Sequence, residues 1–199
     1  KKVFINEMGA TLFTIAKDVK IQVEFNPGKV KAYRLLGYEN RMLKKEDFND
    51  DKKDAGEIGA GHTVTALYEL ILSDSESDVE IHDVDDLKYQ KVKPSSKQNS
   101  NELLTVKFRY KKPDGKKSKL IERPVNARKI RFSKTSDNFR FSAAVAEFGL
   151  LLRDSKHKES SSFDDVLDLA RNAKGNDDFG YRAEFIRLAE MVTLIESGR

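Results

Sequence analysis

The sequence predicts an α+β protein. An antiparallel sheet or sandwich precedes a three-helix subdomain, and one further helix precedes the sheet. Three observations carry this. Between Val19 and Arg123 several short stretches alternate apolar and polar residues, the period of a strand with one wet face. After Ser136 the apolar residues step by three and four, the period of a helix face. Runs of strands followed by runs of helices, with no internal repeat, belong to the α+β class. The expected divisions are a helix over residues 1–17, an antiparallel β domain over 18–135 and a helical subdomain over 136–199.

Taken in order, the first sixteen residues place Ile5, Met8, Leu12 and Ile15 on one helical face. Val19, Ile21, Val23 and Phe25 alternate with Lys20, Gln22 and Glu24, which predicts a strand. Asn26-Pro27-Gly28 predicts a turn and Val30–Leu36 a returning strand, so the pair is expected as a hairpin. Tyr38–Gly61 is a long connection, charged at first and then rich in glycine. Thr63–Leu72, apolar on both faces, is the candidate central strand. Asp74–Asp86 is acidic, with a short strand expected at Val79–Ile81, and Lys93–Asn101 has the composition of a mobile loop. Leu104–Lys111 and Lys117–Arg123 flank Pro113-Asp114-Gly115 and predict a hairpin with a basic outer face. Three helices are expected next. The first carries Phe141, Val145, Phe148 and Leu152 on one face. The second opens at a Ser162/Asp165 capping box. The third is capped by Asp178 and carries Tyr181, Phe185, Leu188, Val192 and Ile195.

Composition excludes several chemistries. The chain has no Cys, so it has no disulfide, no thiolate metal site and no cysteine nucleophile. No apolar run approaches the length of a membrane span and no signal peptide is visible at Lys1. The opening inside an amphipathic segment predicts a piece of a longer protein. With 35% charged residues, a soluble chain with a charge-dense surface is expected. The net charge of +4 conceals segregation: twelve Lys/Arg against two acids in Lys107–Lys134, and seven acids without a Lys or Arg in Asp74–Asp86.

Five motifs come near a function and fall short. Gly56-Glu-Ile-Gly59-Ala-Gly61 resembles a phosphate loop but lacks the following Lys and leads toward a strand, so a glycine-rich strand approach explains it better. Asp178-Phe179-Gly180 spells a kinase triplet without any companion motif. Asp74–Asp86 lacks the glycine and twelfth-position Glu of a calcium loop. His62, His82 and His157 match no zinc-protease spacing. No Ser sits in a Gly-x-Ser-x-Gly elbow. No metal or cofactor is therefore expected, and no enzyme.

Two contact sites remain. Asp47, Phe48, Asp54, Glu57 and His62 lie on or beside the Asp47–Gly61 segment and are the candidate protein contact, because a long connection dense in Asp and Gly often carries function. Phe48 there either anchors a partner or fastens the loop to the core. Lys107, Arg109 and Lys111 are the candidate contact for an anionic ligand. Alternation puts Phe108 and Tyr110 on the opposite face, which argues against a stacking platform for nucleic acid.

Five stretches carry a family resemblance: Asn6–Pro27, Tyr33–Leu43, Asp54–Leu70, Phe139–Ser155 and Gly180–Leu188. Together they resemble the C-terminal region, of unknown function, of bacterial von Willebrand factor type A domain proteins of the YfbK-like family. The resemblance implies that a type A domain precedes this region, that residues 1–17 are its last helix, and that the protein is envelope-anchored and extracytoplasmic. The type A metal motif, Asp-x-Ser-x-Ser, is absent, and the nearest string, Asp74-Ser-Glu-Ser-Asp78, has acids at the second and third ligand positions. The resulting expectation is a non-enzymatic interaction or scaffolding module, with the type A domain and an unidentified protein as partners and no membrane insertion in this segment. The alternative is an envelope-surface binder of anionic polymer or nucleic acid through Lys107–Lys134.

Overall fold

A computed structural model describes residues 13–37, 42–75, 95–158 and 160–198. Among the described residues six strands precede three helices, and the class is α+β. The chain divides into two compact units. One holds the strands and their connections up to Arg128. The other holds the chain from Lys129 onward, together with Leu35–Gly37 and Thr65–Leu67.

The strands are β1 (Thr14–Phe25), β2 (Val30–Leu36), β3 (Gly56–Gly59), β4 (Leu67–Leu72), β5 (Glu102–Lys111) and β6 (Lys119–Asn126). β3, β1, β5 and β6 form a four-stranded sheet in that order, with all three pairings antiparallel, and β2 and β4 form a sheet of their own. Four expectations change. Thr14, Ile15 and Ala16 belong to β1, so the first helix does not run through Ala16; Ile5, Met8 and Leu12 lie outside the described residues. β1 and β2 are consecutive but do not pair. Asn26 explains why: its N–H donates to Leu103 O (2.9 Å) and its side-chain amide donates to Glu102 O (2.8 Å) and Gln98 O (3.2 Å). Pinned to β5, Asn26 also accepts from Lys29 N–H at 2.9 Å, and this turn sends the chain to the second sheet. Among the described residues β4, expected as a central strand, has one hydrogen-bonded neighbour, β2, and its apolar side chains pack as Tyr68 does on Phe25 (ring centroids 5.3 Å apart). Finally, Gly56–Gly59 is itself a strand, paired to the start of β1 at Thr14↔Gly59 and Val19↔Gly56. Glycines there leave no side chain to keep the backbones apart, and Gly61 (φ +81°) supplies the left-handed turn that ends it.

The β5–β6 hairpin forms as its turn chemistry requires, with Gly115 N–H donating to Lys112 O at 2.9 Å. Ser96–Asn99, within the expected loop, is a single 3-10 turn. The strand expected at Val79–Ile81 lies outside the described residues.

The helices are α1 (Asp137–Leu152), α2 (Phe163–Asn172) and α3 (Tyr181–Ser197). Ser136 caps α1 by accepting from Phe139 N–H (3.2 Å), and Ser162 with Asp165 forms the capping box of α2. The N-cap residue of α3 is Gly180, and the carboxylate that serves its first turn is that of Asp177, not Asp178: it accepts from Arg182 N–H (3.1 Å) and Ala183 N–H (2.9 Å). The buried faces keep Phe141, Phe148, Phe185 and Val192 of the expected stripes but differ at other positions. Ala144 replaces Val145 on α1, and Ile186 and Ala189 replace Leu188 on α3. Four fully buried alanines (Ala144, Ala170, Ala173, Ala189) bring the helices close, and Phe148 packs edge-on against Phe163 and Phe185.

Candidate functional site

Cross-strand partners in a sheet share a face. Lys20 stands opposite Arg109, Gln22 opposite Lys107 and Lys17 opposite Lys111. The three cations of β5 therefore point the same way, and the segment from Lys45 to Ala55 lies over that face. Phe48 from one expected set of contact residues meets Arg109 of the other set here, and Asp47 meets Lys20, the cross-strand partner of Arg109.

The segment is held from three sides. Phe48, in the 3-10 turn Lys45–Phe48, is only 5% exposed, and the Arg109 guanidinium stands 5.4 Å from its ring centre. Lys20, only 4% exposed, donates from Nζ to Asp47 O (3.0 Å) and to Asp50 O. Arg109 donates to Asn49 Oδ1 and to Ser118 Oγ, each at 2.9 Å. Lys111 donates to Asp18 Oδ2 (2.6 Å) and Asp51 O (2.7 Å), and Lys107 to Glu24 (2.7 Å).

A backbone irregularity makes the Asp18 contact possible. Lys17 pairs with Lys111 and Lys20 with Arg109, so Asp18 and Val19 together oppose Tyr110. This bulge puts Asp18 at φ +50° and aims its carboxylate at Lys111. The Lys111 hydrogen bond holds the Asp18 carboxyl below its ordinary range, and Asp18 in turn raises Lys111. Hydrogen bonds from Ser118 lower Asp51.

Each expected contact residue can now be placed. Phe48 is buried against the sheet, and Asp47 contributes its carbonyl to Lys20 and its carboxylate to Lys53 (3.5 Å). Asp54, Glu57 and His62 are exposed. Lys107, Arg109 and Lys111 are all engaged within the chain. Sequence reasoning missed Lys20 and Asp18. Lys20 falls on the polar phase of the β1 alternation, which reads as a solvent face, and nothing in the residue pattern announces a segment that covers it. It also missed a groove of about 970 Å3 beside β1, lined by Ile21–Phe25, Tyr33, Leu43, Lys44, Glu46 and Phe48 among others.

Among the described residues no group of three or more His, Asp or Glu is placed to hold a metal ion, and no helix is long and apolar enough to cross a membrane. His82 and most of Asp74–Asp86 lie outside the described residues.

No solved structure matches this chain. The uncharacterized protein YfbK of Escherichia coli (strain K12) is 44% identical over 194 residues, a stretch that covers 96% of this chain. The match takes in 32% of that relative, so the chain spans about a third of its length. The family model described as "Uncharacterized protein YfbK, C-terminal" matches residues 10–195, and the chain belongs to that family.

Proposed function

We propose that this chain is a non-enzymatic interaction and scaffolding module that follows a von Willebrand factor type A domain in a bacterial envelope protein, outside the cytoplasm. The five resembling stretches support the type A and envelope context. The observation that carries the interaction reading is a contrast between two surfaces. The hairpin cations Lys107, Arg109 and Lys111 already serve oxygens of Glu24, Asn49, Asp18 and Asp51. Large apolar side chains, by contrast, stand in solvent along α3: Leu188, Met191, Leu194 and Ile195 at helical spacing, with Leu194 73% exposed. At these three positions an anionic polymer would have to displace internal partners. A protein surface would bury side chains already presented to it, and this favours a protein partner over the anionic-polymer alternative.

The test is crosslinked capture with the full-length protein and with this chain in parallel, across a salt series. The expected result is the same partner on both baits, retained as salt rises. Binding of duplex DNA or anionic vesicles that falls about 10³-fold or more between roughly 50 and 200 mM salt, and disappears in a Lys107→Ala/Arg109→Ala variant, would decide for the alternative. Alkaline phosphatase fused to the full-length protein should be active if the envelope assignment holds.

A further inference from the structure

We propose that the outer edge of β1, from Ile21 to Phe25, is a strand-addition site that takes an extended segment of a partner protein with alternating apolar and polar residues. This rests on the interaction reading above and gives it a surface and a partner chemistry.

The register sets which backbone groups are available. Asn26 N–H donates to Leu103 O, and the same register pairs Glu24 with Thr105, Gln22 with Lys107 and Lys20 with Arg109. In an antiparallel ladder alternate residues turn both N–H and C=O to the same neighbour. Lys20, Gln22, Glu24 and Asn26 therefore address β5, and Ile21, Val23 and Phe25 address the other side. On that side β3 pairs with β1 only as far as Val19. The bulge at Asp18–Val19 ends the pairing there, and among the described residues no strand flanks Ile21–Phe25 beyond it.

The space beside this edge fits one chain. A groove of about 970 Å3 adjoins it, flanked by Tyr33, which packs on Phe25, by Leu43, Lys44, Glu46, Phe48 and Asn49, and by Lys107 of β5, which shares a face with Gln22. Five extended residues span roughly 17 Å, the length of the open edge. The flanks make a second copy of this sheet a poor occupant, because that sheet would bring its own flanks to the same edge. They also fix the alternation. Side chains of an added strand on the Ile21–Val23–Phe25 face meet those residues and Tyr33, whereas side chains on the other face meet Gln22, Glu24, Lys44 and Glu46. Beyond the bulge the edge is open and largely apolar. It has no Pro, its apolar residues are β-branched or aromatic, Ile21 is 55% exposed, and the nearby Lys20 is buried. Main-chain hydrogen bonds to such an edge supply affinity, and the alternating side chains supply selectivity.

The experiment selects from a displayed library of linear seven-residue peptides against the whole chain. The enriched peptides are expected to alternate apolar and polar residues, and a synthetic copy should slow hydrogen exchange at the Ile21, Val23 and Phe25 amides. N-methylation of every second peptide residue should weaken binding roughly tenfold or more in one phase and leave it unchanged in the other. Val23→Pro removes a donor that faces the groove and not β5, so it should spare the fold and abolish binding. The proposal fails if no alternating peptide is enriched, if binding ignores the methylation phase, or if the three amides are already protected in the free chain. Partner capture that survives Val23→Pro would sink this site and leave the interaction module standing. The absence of any captured partner on the unaltered chain would sink the broader reading instead.

Discussion

Lys20 occupies a position in β1 that alternation assigns to solvent, yet its ammonium is buried under the Lys45–Ala55 segment and bonded to two carbonyls of it. Replacing it by Met keeps the stem and removes the donors. Lys20→Met should cost about 1–3 kcal/mol, since the Asp47 and Asp50 carbonyls lose their partner. Urea denaturation reads the cost, and faster exchange of the 45–54 amides locates it. Asp18 and Lys111 make a second prediction. The Asp18 pKa is lowered in the folded chain, so its contribution is present above the unfolded value near 3.8 and is lost as pH falls through the lowered one. The Lys111 pKa is raised, so its contribution is present below its unfolded value of 10.5 and is lost as pH rises through the raised one. Asp18→Asn should therefore flatten the acid limb of a stability–pH profile below about pH 4. An unchanged limb would show that other carboxylates govern it. Neither Lys20 nor Asp18 was legible in the sequence, because their roles depend on a covering segment and a bulge that local pattern does not encode. Phe48 was legible as a residue with two possible duties, and the structure gives it the packing one.

At the scale of elements, periodicity located most strands and all three described helices but not their pairings or their exact faces. The β1–β2 turn shows why. Asn-Pro-Gly predicts a reversal, and a reversal occurs, but the destination is set by Asn26 bonding to residues far along the chain. Gly28 is part of that arrangement: a Cβ there would lie 2.6 Å from Gln98 O. Gly28→Ala should destabilise by about 1–3 kcal/mol, read as a lowered thermal midpoint. On the helices, Val145 and Leu188 fit a stripe drawn by apolar character alone. The true interface takes Ala144 and Ala189, because small residues let the helices close. The α3 cap is a similar near miss, since Asp177 and Asp178 are adjacent and only backbone geometry separates them. Asp177→Ala should lower the melting temperature and Asp178→Ala should not. Equal effects would contradict the capping assignment.

At the scale of the whole molecule, the class and the family were legible, because composition, period and five resembling stretches agree with one another. The charge segregation was legible as well, but not its outcome. Three of the cations counted from sequence in a basic ribbon, Lys107, Arg109 and Lys111, are committed inside the chain. The two units have separate buried residues, with Ala16, Lys20, Val30 and Phe48 in one and the Phe141–Ala189 cluster in the other. Phe148→Ala should remove about 3–5 kcal/mol from the helical core and speed exchange of amides across α1, α2 and α3. If the amides of β1 and β5 lose the same protection, the two cores unfold as one cooperative unit.

The pairing of β1 with β5 also constrains how the chain is made. Ile21 and Phe108 are 87 positions apart. At a synthesis rate of about 5–20 residues per second, β1 leaves the ribosome roughly 4–17 s before its principal partner. The helices, whose contacts are local, face no such wait. During that interval Ile21, Val23 and Phe25 have neither a ladder nor a covering face. The nascent chain is then most open to mispairing and most in need of a chaperone.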